Sequence, residues 1–177
     1  IAASQITYLE GYLFDDPAAK AAFYKAAGYV QTHGRKLALT LSDPFCVVRH
    51  RDDFINLVDH HVDILFANED ELKEITQISD TDHAIEAIRG RCEIIAVTLG
   101  KNGSRIITKD QTIAVAAIPP TELVDTTGAG DSYAAGFLFG LTEGKDLAEC
   151  GRLGSLAASE IISHMGPRPV TSLKDLI

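Results

Sequence analysis

Short apolar runs that alternate with stretches of helical periodicity constrain this chain more than any other feature. Ile6–Leu9, Leu37–Leu41, Asp63–Ala67 and Ile94–Leu99 read as strands. A helix opens at Pro17 and runs to about Thr32, proline being tolerated in a first turn. After the turn Ser42-Asp43-Pro44 a helix is predicted around Asp52–Val58. Asn68-Glu69-Asp70-Glu71 opens a short one, and a further helix lies near Asp82–Arg89. Such alternation predicts an α/β fold with a largely parallel sheet flanked by helices. In such sheets ligands bind beyond the carboxyl ends of the strands.

Further on, Arg105–Thr108 and Thr112–Ala116 read as a hairpin around Lys109-Asp110-Gln111. Two helices follow, about Ser132–Leu141 and Leu147–His164. In the last one Leu147, Cys150, Leu153, Ala157 and Ile161 mark one apolar face at helical spacing. The tail from Gly166 to Ile177 is short. No repeat or linker divides the chain, so residues 1–177 read as one unit of a domain.

At 46% hydrophobic and 23% charged residues the chain has enough apolar material for a real core. Its formal charge of -9 argues against nucleic acid or an anionic membrane as partner. No apolar run reaches the length needed to span a bilayer. Cys46, Cys92 and Cys150 lie far apart, without C-x-x-C spacing, which suits a reducing cytoplasm. The histidines lack metal-ligand spacing. His33, His50, His83 and His164 have no partner legible in the sequence, and Arg49-His50-Arg51 reads as a solvated loop. The chain starts Ile1-Ala2-Ala3, without Met and without a signal-like segment, so it is expected to begin inside a larger protein.

The richest chemistry sits in Asp125-Thr126-Thr127-Gly128-Ala129-Gly130-Asp131, which runs directly into a helix. Two glycines and an alanine keep side chains away, so N–H groups at the helix start can face an anion closely. A carboxylate at the same turn can take the proton of an attacking hydroxyl. An Asp before a helix also serves as a plain N-cap, and the two roles are compatible. Ala134, Ala135, Gly136 and Gly140 predict a closely packed helix. Other phosphate motifs fail. Gly100-Lys101 is followed by Asn102, and Gly128-x-Gly130 lacks a third glycine at Tyr133.

Asp125–Asp131, continued by Ser132-Tyr133-Ala134-Ala135-Gly136-Phe137, closely resembles the C-terminal signature of ribokinase-type (PfkB) kinases. The resemblance implies a ribokinase-like, Rossmann-like layered fold and transfer of the ATP γ-phosphoryl group to a hydroxyl of a sugar or nucleoside. It makes Asp131 the base and Gly128, Ala129 and Gly130 the anion hole. Asn68-x-x-Glu71 resembles the family's N-x-x-E motif, which organises Mg²⁺ and phosphates. Thr98, Gly100 and Gly103 match its T-x-G-x-x-G nucleotide loop. Asp125 and Thr127 match positions that hold a monovalent cation, potassium, in many relatives. Ser155 falls where relatives touch adenine with Asn or His. Leu39–Phe45 and Val62–Glu69 look most like the adenosine-kinase branch.

The family also has an N-terminal part with a di-glycine motif and a small β lid, and neither is legible here. The resemblance therefore implies the C-terminal part of a kinase, weakly active or inactive alone and prone to dimerise through uncovered apolar surface. The rival readings are a non-catalytic nucleotide-binding remnant of such a kinase and a Rossmann-type dehydrogenase, the latter opposed by its incomplete fingerprint.

Overall fold

The computed structural model describes residues Ile1–Asp175; Leu176 and Ile177, the end of the tail, lie outside the described residues. Strand β1 (Ile6–Glu10) leads through a single 3-10 turn, Gly11–Asp15, into helix α1 (Pro17–Thr32). Asp16 starts α1 by accepting from the Ala18 N–H, and Pro17 takes the first helical position, where no N–H is needed. Then come β2 (Lys36–Thr40), α2 (Pro44–His60), β3 (Ile64–Asn68), α3 (Glu69–Thr76), α4 (Thr81–Ile88) and β4 (Ile94–Thr98). The chain continues through β5 (Ser104–Ile107), β6 (Thr112–Val115), α5 (Ala129–Thr142) and α6 (Leu147–Ile161).

The six strands form one sheet in the order β1-β2-β3-β4-β5-β6. β1 with β2 and β2 with β3 are parallel, Tyr8 standing opposite Ala38 and Leu39 opposite Leu65. β5 and β6 are joined by a turn in which Thr108 N–H donates to Gln111 O at 2.9 Å. A connection that short admits only antiparallel strands, so the sheet is mixed. Most of β2, β3 and β4 is buried, as in strands covered on both faces.

The chain divides into two compact units. The first comprises Ile1–Val97 with Ile107–Gln111. In its core Phe14 stacks on Phe54 with centroids 4.7 Å apart and meets Phe23 edge-on at 5.0 Å. Helix α2 begins at Pro44, well before the predicted start near Asp52. Asp43 accepts from the Phe45 and Cys46 N–H groups, and Pro44 occupies the first position. The pair read as a turn is therefore a cap. His50 interrupts α2 with non-helical angles, φ -125 and ψ 26.

Arg49-His50-Arg51 is thus not a solvated loop. Arg49 Nε and Nη2 donate to the two Asp15 oxygens at 3.0 and 2.6 Å, and His50 Nε2 lies 2.8 Å from Asp15 Oδ1. Arg51 Nε donates to Glu74 O at 2.8 Å. The other histidines read as partnerless also find partners. His33 Nδ1 meets Tyr29 O at 2.8 Å, His83 Nδ1 lies 3.3 Å from Asp80, and His164 Nε2 lies 3.3 Å from Glu160.

The second unit comprises Thr98–Ile106 and the chain from Thr112 onward. Here α5 and α6 pack backbone against backbone. A Cβ on Gly136 would lie 2.4 Å from Leu153 O, and one on Gly154 would lie 2.8 Å from Tyr133 O. That contact explains the small residues read from the sequence of α5. Tyr133 Oη donates to Ser104 Oγ at 2.8 Å, and both residues are buried. Helix α6 stops at Ile161, three residues short of the predicted His164. Among the described residues no helix is long and apolar enough to cross a membrane.

Candidate functional site

In the first unit, parallel strands deliver acids to their carboxyl ends. β1 ends at Glu10, β2 is followed by Ser42 at φ 69 and then Asp43, and β3 ends at Asn68. Asn68 and Glu71 form a complete capping box at the start of α3. Asn68 Oδ1 accepts from Glu71 N–H at 2.8 Å. In return Glu71 Oε2 accepts from Asn68 N–H at 2.9 Å and Oε1 from Asn68 Nδ2 at 2.7 Å.

Glu71 is only 4% exposed. Burial pushes its carboxyl up to about 7; the Asn68 N–H opposes this, while the charges of Asp43, Asp70 and Glu10 add to it. A cation beside it would favour the ionised form. Each carboxylate oxygen keeps a lone pair beyond its present bond, and Mg²⁺ prefers such hard oxygen donors while retaining waters. The donor set therefore fits a hydrated divalent cation. Glu69, by contrast, pairs with Lys73 at 2.8 Å, and Asp70 is exposed, as expected of surface charges.

Asp15, Cys46 and His50 also bring ligand atoms within 4.8 Å of one another. Arg49 already grips both Asp15 oxygens and, with His50, holds that carboxyl below its ordinary range. The Cys46 thiol donates to Gly11 O at 3.3 Å, and burial pushes it up to about 11. This cluster satisfies itself and pins the turn after β1 to α2.

In the second unit Thr98 ends the strand run, and Gly100–Asn102 forms a single 3-10 turn. Gly100 has φ +56 and open space where a Cβ would stand. Gly103 has φ +85, and a Cβ there would lie 2.0 Å from Val115 O, so backbone packing alone requires that glycine. Ser155 lies on α6, 7% exposed.

The glycine turn is held from both sides. Asp125 Oδ1 accepts from Thr127 N–H at 2.9 Å and Oδ2 from Gly166 N–H at 3.0 Å. These backbone donors hold the Asp125 carboxyl below its usual range. Gly128, at φ 80, is the N-cap of α5 and has no side-chain capping bond. A Cβ on it would lie 2.8 Å from Pro167 Cβ. Ala129, Gly130 and Asp131 are therefore the first three helical residues, although the helix was predicted from Ser132. Asp131 is not the cap; it stands exposed in the first turn, where a helix dipole favours negative charge.

The N–H groups of a first turn have no intrahelical acceptors. A Cβ on Gly130 would meet nothing within 4 Å. Its lack of a side chain thus leaves an approach to those N–H groups clear, a cradle suited to a phosphate. Sequence reading missed Glu10 and Asp43 as charges acting on Glu71, although their positions just after strands signalled it. It also missed Gly166 and Pro167 as supports of the turn, for which the local sequence holds no signal.

Residues 1–173 match the family described as pfkB family carbohydrate kinase. The solved adenosine kinase of Sinorhizobium meliloti is 47% identical with a TM-score of 0.96, over 99% of this chain and 54% of that one. A probable sugar kinase of Rhizobium etli is 46% identical with a TM-score of 0.96, over 99% of this chain and 53% of that one. The nucleoside kinase of Methanocaldococcus jannaschii is 37% identical over 106 residues, 60% of this chain and 34% of that protein. The chain thus spans about half the length of the solved relatives. The likeness bears out the ribokinase-like α/β fold expected from the sequence.

Proposed function

Because the chain belongs to the pfkB family of carbohydrate kinases, we propose that it is the catalytic part of an ATP-dependent phosphotransferase acting on a hydroxyl of a sugar or nucleoside. The first turn of α5 carries this reading, with open space at Gly130 above the helix start and Asp131 in the same turn. ATP, when bound, supplies the phosphoryl group, and Mg²⁺ offsets its charge. Asp131 takes the proton of the acceptor hydroxyl as its oxygen attacks. The N–H groups at Gly128, Ala129 and Gly130 stabilise the charge on the phosphoryl oxygens.

Asn68 and Glu71 organise the hydrated Mg²⁺. Thr98, Gly100 and Gly103 shape a loop along the nucleotide phosphates, and Ser155 falls at the adenine side. A monovalent cation, potassium, is proposed at Asp125 and Thr127, which offer hard oxygens; each Asp125 oxygen accepts one backbone N–H and keeps a lone pair. The three cysteines are free and buried, in keeping with work in the cytoplasm.

The test is ADP release from Mg·ATP with a panel of nucleosides and sugars. Asp131→Asn should lower acceptor-dependent turnover by about 10²–10⁴, the range of a general base, while nucleotide affinity stays within about twofold. An equally active Asn variant refutes the assignment. Nucleotide binding without transfer to any acceptor, even in a chain of the relatives' full length, favours a binding module instead.

A further inference from the structure

We propose that Glu160 is a positioning residue, which fixes the turn at Gly128 by anchoring the strap of chain over residues 166–171. This deepens the proposed function and rests on it for the meaning of the turn.

Glu160 lies in the last turn of α6 with its side chain 7% exposed. A carboxylate so placed is costly unless hydrogen-bonded. Its Oε1 accepts from Val170 N–H at 2.9 Å and Thr171 N–H at 2.8 Å, and its Oε2 lies 3.3 Å from His164 Nε2. Burial acts to raise its pKa, yet the Thr171 and Val170 N–H donors and the neighbouring His164 ring outweigh it and hold the carboxyl below its ordinary range.

The strap has little else to hold it. Pro167, Arg168, Pro169, Val170 and Thr171 are all exposed, so no core packing fixes them. Two of these five are prolines and offer no N–H. Of the three N–H groups that remain, Glu160 takes two. At the other end Gly166 N–H is held by Asp125 Oδ2 at 3.0 Å. The strap is thus stretched between two carboxylates.

Between those anchors stands Pro167, in the space a Cβ on Gly128 would need, 2.8 Å from its own Cβ. Gly128 in turn accepts from Ser132 N–H at 2.9 Å, the first backbone bond of α5. Releasing residues 170 and 171 therefore frees the wall against which the helix start is set. A Glu160 that merely tied down the tail would leave that start unchanged, and this difference makes the proposal testable.

The experiment pairs hydrogen exchange with kinetics on Glu160→Ala and Glu160→Gln in the intact protein. Losing two charge-assisted bonds should speed exchange at Val170 and Thr171 by about a hundredfold in Glu160→Ala. The proposal requires residues 126–131 to exchange faster as well, and kcat to fall about tenfold with the acceptor KM steady. Glu160→Gln keeps an acceptor oxygen and should restore most of both; if Glu160→Ala fails to fold, Val170→Pro, which removes one of the two N–H donors, carries the test, and the proposal again requires faster exchange over residues 126–131. Loosening confined to residues 170 and 171, with turn exchange and kcat unchanged, overturns the proposal. Faster turn exchange in a protein that transfers phosphoryl to no acceptor, even in a chain of the relatives' full length, upholds the positioning role and refutes the kinase reading instead.

Discussion

Glu71 sets up a pH experiment whose sign and size follow from its surroundings. Its carboxyl is raised from 4.5 to about 7, first by burial and then by Asp43, Asp70 and Glu10, against the Asn68 N–H. The folded chain therefore holds this proton more tightly than the unfolded chain. Stability from this group is fully present below pH 4.5 and is lost as pH rises to about 7, beyond which nothing more is lost. Each pH unit of displacement is worth about 1.4 kcal/mol, so the loss across the window is about 3 kcal/mol. Glu71→Gln removes the titration. It also sets an amide NH₂ against one of the two Asn68 donors, at a pH-independent cost of about 1–3 kcal/mol. Urea unfolding of both proteins from pH 4.5 to 8 is the assay. The wild type should fall relative to the variant by about 3 kcal/mol through the window, whatever the constant offset. Mg²⁺ at neutral pH should recover part of that loss in the wild type only. Curves that run parallel at all pH values would refute the argument that burial and neighbouring acids hold this proton.

The glycines give contrasting tests. Gly128→Ala places a Cβ at φ +80 and against Pro167, and should cost about 2–4 kcal/mol in urea unfolding. Gly130→Ala meets nothing and sits in a helix, so stability should hold or rise by up to about 1 kcal/mol while phosphoryl transfer slows. Gly136→Ala drives a Cβ to 2.4 Å from Leu153 O and should cost about 3 kcal/mol by separating α5 from α6.

Much of the fold was legible because its signals are local. Short apolar runs and a change of period from strand to helix are properties of ten or twenty neighbouring residues. The capping box of Asn68 and Glu71 was legible for the same reason, since its spacing alone brings the groups together. Boundaries failed where one residue pair carries two meanings. Asp43-Pro44 signals a turn and also a cap with its first helical residue, and the structure takes the second. Gly128 and Gly130 weigh against a helix by propensity, yet α5 begins at Ala129, directly after Gly128 as its N-cap. The bonds from Asp125 to Gly166, forty-one residues on, and from Arg49 to Asp15, thirty-four back, have no local signature at all.

The two motif glycines show why a sequence match stops short of a mechanism. In Gly128-Ala129-Gly130 both are equally striking to a reader of the chain, but they answer different demands. Gly128 is glycine because its φ and Pro167 exclude a side chain, so its absence of a Cβ is spent on packing. Gly130 has ordinary φ and no neighbour to clash with, so packing gives no reason for it. A helix interior would be more stable with alanine there. A glycine that lowers stability and touches nothing is best explained by something that must come close to the backbone. The argument for an anion at the start of α5 therefore rests on Gly130 more than on the motif, and Gly130→Ala is the substitution that separates a binding turn from a merely tight one.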